Sequence, residues 1–221
     1  MTVRIAPSLL AADFCRLGED IAMCDAGGAD WIHVDVMDGR FVPSLSFGSK
    51  MIEAARRSSS KEVDVHLMVI EPERYFDEFV KAGADVLTIH AEAAPHLDRQ
   101  LMRIKELGCK AGVALNPATP LATIEEIVHL LDVLLIMSVN PGYGGQKFIE
   151  YSVDKIERAR FLLDQAGSSA ALEVDGGISR DTITRCWQAG ADTFVAGNAV
   201  FSAANPQAEI GALRRLCTTN V

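Results

Sequence analysis

The feature of the sequence that most constrains its fold is a regular alternation of short apolar runs with amphipathic stretches. The runs are rich in β-branched and aliphatic residues, as β-strands are, and the stretches have helical spacing. The runs are Val3–Ala6, Trp31–Val36, Glu62–Met68, Val86–Ile89, Lys110–Leu115, Val133–Val139, Ala171–Val174 and Thr193–Ala196. The stretches are Arg16–Ala26, Ser49–Arg57, Pro72–Ala82, Leu97–Leu107, Leu121–Leu130, Ser152–Ala166, Asp181–Ala189 and Ala208–Leu216. Apolar strands separated by helices predict a parallel sheet whose outer face is covered.

Eight strand–helix pairs are compatible with an open doubly wound sheet or with a closed (β/α)₈ barrel. An internal repeat helps to choose, because the tripeptide Gly-Ala-Asp begins at Gly28, Gly83 and Gly190, each time after a helical stretch and before a strand. These positions are separated by about two and about four units of roughly 28 residues, which is one eighth of the chain. Even pacing favours the barrel. We therefore predict a single TIM-barrel domain over residues 1–221, with each glycine of the repeat ending a helix.

Composition excludes several classes of protein. The chain has 30 acidic and 21 basic residues and a net charge of −9, and its longest basic blocks are Arg56-Arg57 and Arg214-Arg215, so we do not expect it to bind nucleic acid. A hydrophobic fraction of 49% rules out a disordered chain.

The cysteines and the termini bear on location. Five cysteines with no C-x-x-C pair predict free thiols in a reducing compartment. The N-terminal residues do not resemble a signal peptide, and the longest apolar stretch, Val128 to Val139, is too short to cross a bilayer. We expect a cytoplasmic protein without a membrane partner.

Ionisable residues occupy the alternating positions that should face the barrel interior. His33, Asp35 and Met37 share one side of the second strand, and Asp64, His66 and Met68 share one side of the third. The seventh strand delivers Asp175 to the same rim. Buried carboxylates are costly unless paired or bound to metal. The convergence of His33, Asp35, His66 and Asp175 therefore predicts a site for one divalent ion, with zinc, iron, manganese and cobalt all compatible.

Glycines concentrate after the last three strands. They lie in the segment 140–146, at Gly176-Gly177 and at Gly197-Asn198. Glycine lets backbone N–H groups approach an anion closely, and the loops after strands seven and eight commonly bind phosphate in this architecture. We predict a phosphate cradle there, with the segment 140–148 as a candidate lid. Met37, Met68 and Met137 either fill the core or cover the site.

Together these segments closely resemble the ribulose-phosphate 3-epimerase family. The resemblance covers residues 4 to 201 in order. It is carried by Ala6–Phe14, His33–Gly39 with Phe41-Val42-Pro43, His66–Val69, Leu115-Asn116-Pro117, Met137–Gln146 and Val174–Ile178. Arg40, Ser44 and Asn198 depart from residues that are common in the family.

The resemblance implies a metal-dependent isomerase that interconverts D-ribulose 5-phosphate and D-xylulose 5-phosphate in the pentose phosphate pathway, and homo-oligomers. It implies that Asp35 and Asp175 are the acid/base pair and that both also bind the metal with His33 and His66. The implied substrate contacts are Ser8, His66, Gly142, Tyr143, Gly144, Gly145, Gly176, Gly177, Gly197 and Asn198. Two carboxylates suit an inversion, because the proton leaves one face of the carbon and returns to the other.

Other functions compete with this one, including two further barrel chemistries, an aldolase and a decarboxylase. An epimerase for a related ketose phosphate, such as D-allulose 6-phosphate, would use the same four ligands. A Schiff-base aldolase needs a lysine at the C-terminal end of a strand, and a decarboxylase of the same barrel type needs Asp-x-Lys where Asp64-Val65-His66 stands. A non-catalytic phosphosugar-binding barrel would not need both Asp35 and Asp175.

Overall fold

The computed structural model describes residues 2–218, which form a nearly closed barrel of eight parallel strands. The strands are β1 (Arg4–Pro7), β2 (Trp31–Met37), β3 (Glu62–Met68), β4 (Val86–His90), β5 (Lys110–Leu115), β6 (Val133–Met137), β7 (Ala171–Asp175) and β8 (Thr193–Ala196). From β2 to β8 each strand pairs with the next in sequence, and β8 pairs with β1. The remaining seam between β1 and β2 is joined by the bridge between Ser8 and His33. The predicted (β/α)₈ TIM barrel is confirmed.

Helices surround the barrel. They are α1 (Leu17–Ala26), α2 (Ser49–Ser58), α3 (Phe76–Ala82), α4 (Leu97–Glu106), α5 (Ser152–Gln165), α6 (Ile183–Gln188), α7 (Asn198–Phe201) and α8 (Pro206–Thr218). The short α7 was not predicted. None of the helices within residues 2–218 combines the length and apolarity that crossing a membrane requires.

The stretch Leu121–Leu130 is helical, as predicted, but it is not an α-helix. The segment forms two 3₁₀ helices, Leu121–Thr123 and Glu125–Leu130. Four of its ten residues are β-branched, and such side chains lose χ1 freedom in an α-helix. The first turn of the helix predicted from Pro72 is likewise a separate 3₁₀ helix, Pro72–Arg74.

The two faces of β2 show how the core is divided. Ile32, Val34 and Val36 belong to the large apolar layer between the strands and the helices. His33 and Asp35 are buried on the opposite, inner face. The predicted alternation therefore holds, and it delivers polar groups to the barrel interior.

An aspartate stands immediately before each even-numbered strand, at the N-terminal end of the barrel. Each carboxylate accepts a hydrogen bond from the second backbone N–H of the preceding odd-numbered strand and contacts a Lys or Arg. We call these four groups the aspartate clamps. They are Asp30 (Ile5 N 2.8 Å, Arg214 2.9 Å), Asp85 (Val63 N 2.8 Å, Arg56 2.7 Å), Asp132 (Ala111 N 2.8 Å, Lys105 2.7 Å) and Asp192 (Leu172 N 3.3 Å, Arg160 3.0 Å).

The clamps explain the Gly-Ala-Asp repeat. Gly28, Gly83 and Gly190 have φ angles of 85°, 110° and 101° and end the helices before β2, β4 and β8, as predicted. The aspartate that follows each glycine then ties the incoming strand to its neighbour. Asp132 performs the same role without the preceding Gly-Ala.

Candidate active site at the C-terminal end of the barrel

The structure brings together the four residues that the sequence assigned to a metal site. His33 and Asp35 lie on β2, His66 lies on β3 beside Asp35 in the strand register, and Asp175 ends β7. One nitrogen or oxygen atom from each residue lies within 4.8 Å of all the others. Both histidines are fully buried, whereas the Asp175 side chain is 18% exposed. The cluster therefore sits at the boundary between the barrel interior and the space above it.

The distances within the cluster suit a shared divalent cation. Asp35 Oδ1 lies 3.0 Å from His66 Nδ1 and 3.2 Å from His33 Nε2, and Asp175 Oδ2 lies 3.9 Å from His66 Nδ1. Ligands about 2 Å from a tetrahedral ion are about 3.3 Å from one another. Two imidazole nitrogens with two carboxylates also form a donor set that zinc and neighbouring metals accept. The residues present thus fit such an ion.

Each histidine has a further partner on its other ring nitrogen. His33 Nδ1 lies 2.5 Å from Asp64 Oδ2, and His66 Nε2 lies 2.8 Å from His90 Nε2. Partners of this kind fix ring orientation and tautomer in metal sites. Glu173 lies below them, 3.7 Å from His33 Nδ1, and burial, together with Asp64, raises its pKa well above the ordinary value.

The environments of the two aspartates push their pKa values apart. Burial would raise the pKa of Asp35, but His33 and His66 outweigh it and hold that pKa well below its usual range. Burial, with the negative charge of Asp35, raises the pKa of Asp175 to about 6. A pair of carboxylates with separated pKa values is the arrangement that acid/base catalysis uses.

Ser8 contributes from the first strand's end. Its hydroxyl donates a hydrogen bond of 2.6 Å to Asp35 Oδ2. Because Asp35 Oδ1 faces the two histidines, the hydroxyl occupies the other oxygen of the carboxylate. Ser8 therefore orients Asp35 across the seam between β1 and β2.

A cavity of about 830 Å³ opens above the cluster. It is bordered by two of the four cluster residues and by every glycine-loop residue that the sequence assigned to substrate. The lining includes Ser8, Asp35, Asp175, Gly142, Tyr143, Gly144, Gly145, Gly176, Gly177, Gly197 and Asn198. His66 is fully buried beneath them and is not among the lining residues, and its contact with a substrate stays a prediction.

Two glycines in the lining cannot be replaced without strain. Gly176 has a φ of 118°, and a Cβ there would lie 2.5 Å from Val139. Gly177 has a φ of 64°, and its Cβ would lie 2.8 Å from the backbone nitrogen of Phe148. The loops after β6 and β7 therefore pack backbone against backbone, and only glycine permits this approach.

Methionines form the apolar part of the wall. Met37, Met68 and Met137 all line the cavity and are almost completely buried. Their position beside Asp35 and Asp175 favours the covering role over simple core filling. Polarisable side chains there would exclude water from the reacting atoms.

Sequence reasoning missed several residues at this end of the barrel. Lys147 and Arg185 line the cavity, and Arg185 is ion-paired there with Glu150, which also lines it. His90 and Glu92 form a His-x-Glu at the end of β4, parallel to the His-x-Asp of β2. The shared spacing of a histidine and an acidic residue two positions later was the available signal.

Comparison with known proteins agrees with this architecture. The sequence model described as "Ribulose-phosphate 3 epimerase family" matches residues 4–201. The chain is 50% identical over 212 residues to ribulose-phosphate 3-epimerase of Synechocystis, covering 95% of this chain and 92% of that protein. It is 48% identical over 213 residues to ribulose-phosphate 3-epimerase of Bacillus subtilis, covering 96% and 98%. A solved structure of 3-hexulose-6-phosphate synthase from Salmonella typhimurium superposes over 100% of both chains with a TM-score of 0.69 at 21% identity, which shows a shared fold.

Proposed function

This chain belongs to the ribulose-phosphate 3-epimerase family, and we propose that Asp35 and Asp175 perform its epimerisation as a two-base pair. The protein is an isomerase that interconverts D-ribulose 5-phosphate and D-xylulose 5-phosphate, as its family does. The observation that carries the mechanism is the juxtaposition of these two carboxylates, with separated pKa values, at the floor of one cavity.

The proton transfers that the reaction requires can be made by Asp35 and Asp175. One carboxylate removes the proton from C3, and the C3–H bonding electrons pass into a cis-enediolate. The other aspartate then donates its proton to the opposite face of C3, which inverts the centre. The pair ends with its protonation reversed, so proton exchange with solvent must restore it before the next turnover in the same direction.

A divalent ion held by His33, Asp35, His66 and Asp175 completes this proposal. When bound, it supplies Lewis-acid stabilisation of the negative charge that develops on the substrate oxygens. The same donor set accepts zinc, iron, manganese or cobalt. Asp35 and Asp175 must act as bases while they also bind the ion, and Ser8 keeps one oxygen of Asp35 oriented for this.

The substrate phosphate is proposed to bind at the glycine-rich loops. Three loops that follow β6, β7 and β8 border the cavity together, and the lining also holds Lys147 and Arg185. Backbone N–H groups of such loops bind phosphate without needing net positive charge on the protein. This arrangement offsets the overall charge of −9, which disfavours attraction of an anionic substrate.

Location and assembly complete the proposal. We propose a cytoplasmic homo-oligomer whose partner is the phosphorylated ketose and which binds neither nucleic acid nor membrane. The acidic composition and the lack of long basic blocks support the exclusion of nucleic acid.

The experiment is turnover of D-ribulose 5-phosphate in D₂O, followed by NMR. We expect deuterium to enter C3 as xylulose 5-phosphate forms, activity to disappear after dialysis against a chelator, and activity to return with a divalent metal. Product without deuterium at C3 would overturn the proton-transfer mechanism. Faster turnover of D-allulose 6-phosphate than of the pentose would overturn the proposed substrate.

A further inference from the structure

A chain of three side chains leads from the proposed metal site toward the neighbouring rim. His66 Nε2 lies 2.8 Å from His90 Nε2, and His90 Nδ1 lies 3.1 Å from Glu92 Oε2. His90 is fully buried, and its ring packs 4.9 Å from the His66 ring and 4.7 Å from the Phe41 ring. Neither His90 nor Glu92 has a part in the mechanism above. A buried imidazole costs free energy unless it is hydrogen-bonded, so its presence here calls for an explanation.

The outer end of the chain is held rigidly. Glu92 Oε1 accepts a hydrogen bond of 2.8 Å from the backbone N–H of Asn116 and a short one from the Thr119 hydroxyl. Lys155 Nζ in turn donates to the carbonyl oxygen of Asn116 at 2.6 Å. The carboxylate of Glu92 is therefore fixed by the loop after β5, and the loop is fixed from the far side by a buried lysine.

The hydrogen-bonding roles follow from this fixed end. A carboxylate only accepts hydrogen bonds, so His90 Nδ1 must carry the proton that faces Glu92. A neutral imidazole has a single N–H, and a charged ring at this depth would be costly. His90 Nε2 is then an acceptor, and the proton between the two rings belongs to His66 Nε2. In a neutral His66, the lone pair is then on Nδ1 and is directed at the side where Asp35 lies 3.0 Å away.

We infer that His90 and Glu92 are positioning residues that impose on His66 the tautomer and orientation required of a metal ligand. The inference rests on the proposed function, because that function makes His66 Nδ1 a metal ligand. Without the metal, a proton on His66 Nδ1 bridges to Asp35 Oδ1, 3.0 Å away, and a divalent ion beside both atoms would take the place of that proton.

His33, the other histidine of the site, is also oriented by a carboxylate, but without a second imidazole between them. His33 Nδ1 meets Asp64 directly at 2.5 Å, whereas His66 meets its carboxylate through a second imidazole. The two ligands are thus oriented from different sides of the barrel interior. Replacing His90 should disturb His66 alone and leave His33 as the control within the same molecule.

The experiment uses the zinc-loaded protein and compares His90→Phe with His90→Gln. Phenylalanine keeps the ring but removes the acceptor, so we expect zinc to bind 10- to 100-fold more weakly in competition with a chelator. The glutamine amide oxygen can accept from His66 Nε2–H, so His90→Gln should recover most of the affinity. Proton–nitrogen NMR of the zinc-loaded wild type should show a slowly exchanging proton on His66 Nε2 and none on His90 Nε2.

Thr88→Val is the matched control, because Thr88 lies two residues before His90 on β4, is fully buried and has a hydroxyl with no hydrogen-bond partner within residues 2–218. We expect this variant to bind zinc like the wild type. Zinc affinity of His90→Phe within twofold of wild type, or the reverse placement of the proton, would overturn the inference. A wild type that binds zinc with the expected tautomer but does not epimerise the pentose would overturn only the proposed function.

Discussion

The two ends of the barrel use the same residue type for opposite purposes. At the N-terminal end, four aspartates accept a backbone N–H and pair with a Lys or Arg, at distances of 2.7 to 3.3 Å. At the C-terminal end, the side-chain partners found for Asp35 within residues 2–218 are a serine and two histidines. A permanent cation fixes a carboxylate in its ionised form, whereas imidazole and hydroxyl partners leave it able to bind metal and exchange protons. The partner, rather than the aspartate, decides between stability and chemistry.

The largest effect should come from Asp175→Asn, which tests the chemical end of the barrel. The amide cannot take or give the C3 proton, so we expect the rate of deuterium incorporation at C3 to fall by about 10³-fold or more. In metal-free protein, the midpoint of thermal denaturation should hold or rise, because the change removes a largely buried carboxylate that lies beside Asp35. Metal content should be measured in parallel. Residual activity within tenfold of wild type would remove Asp175 from the mechanism.

The clamps should show the opposite pattern. The Asp192 side chain is 10% exposed and pairs with both Arg4 and Arg160, so Asp192→Asn should lower the free energy of unfolding by about 3 kcal/mol. Asp132 is 34% exposed and pairs with a single lysine, so Asp132→Asn should cost about 1 kcal/mol. Urea denaturation measures both, and kcat of the folded variants should equal that of wild type. A clamp variant with wild-type stability but a lower kcat would contradict the assignment of the N-terminal aspartates to stability alone.

The smallest expected effect on stability concerns Glu92. This residue lies at the C-terminal end of the barrel, but its carboxylate, like those of the clamps, accepts a hydrogen bond from a backbone N–H. Burial would raise its pKa, but hydrogen bonds from His90, Thr119 and Asn116 outweigh it and lower that pKa to about 2, from an ordinary 4.5. The folded state therefore binds the proton less readily than the unfolded state. The resulting stability is complete above about pH 4.5 and is lost as the pH falls toward 2.

Glu92→Gln should accordingly be less stable than wild type at pH 7, by no more than about 1 kcal/mol. The difference should shrink as urea denaturation is repeated at lower pH, from pH 5 toward pH 3. A difference that stays constant over this range would show that the carboxylate's charge contributes nothing at this position.

Periodicity was sufficient to predict the barrel and to place the site at its C-terminal end. Alternation along β2 put His33 and Asp35 inside because period two is a local property of a strand. The sequence marks three of the four clamps with the tripeptide Gly-Ala-Asp. It does not mark the fourth, because Asp132 follows Leu131. Each clamp pairs with a Lys or Arg of a helix, Asp192 also with Arg4 of β1, and nothing in the local sequence identifies which cation will reach each carboxylate.

The pKa difference between Asp35 and Asp175 could not be predicted for the same reason. It depends on the depth of each carboxyl group and on the histidines that surround it, both of which are tertiary properties. His90 and Glu92 were visible as a motif, but the hydrogen bond from one imidazole to another appears only when β3 and β4 are side by side.

The spacing of the clamps along the chain has a consequence for how the protein folds. Each joins a backbone N–H to an aspartate only 20 to 25 residues away, so the entropy of closing each loop is modest. The active site needs β2, β3 and β7, which belong to three different clamped strand pairs. We expect the clamped pairs to form early and catalytic competence to appear only when the pairs join, so that recovery of activity during refolding reports the last step.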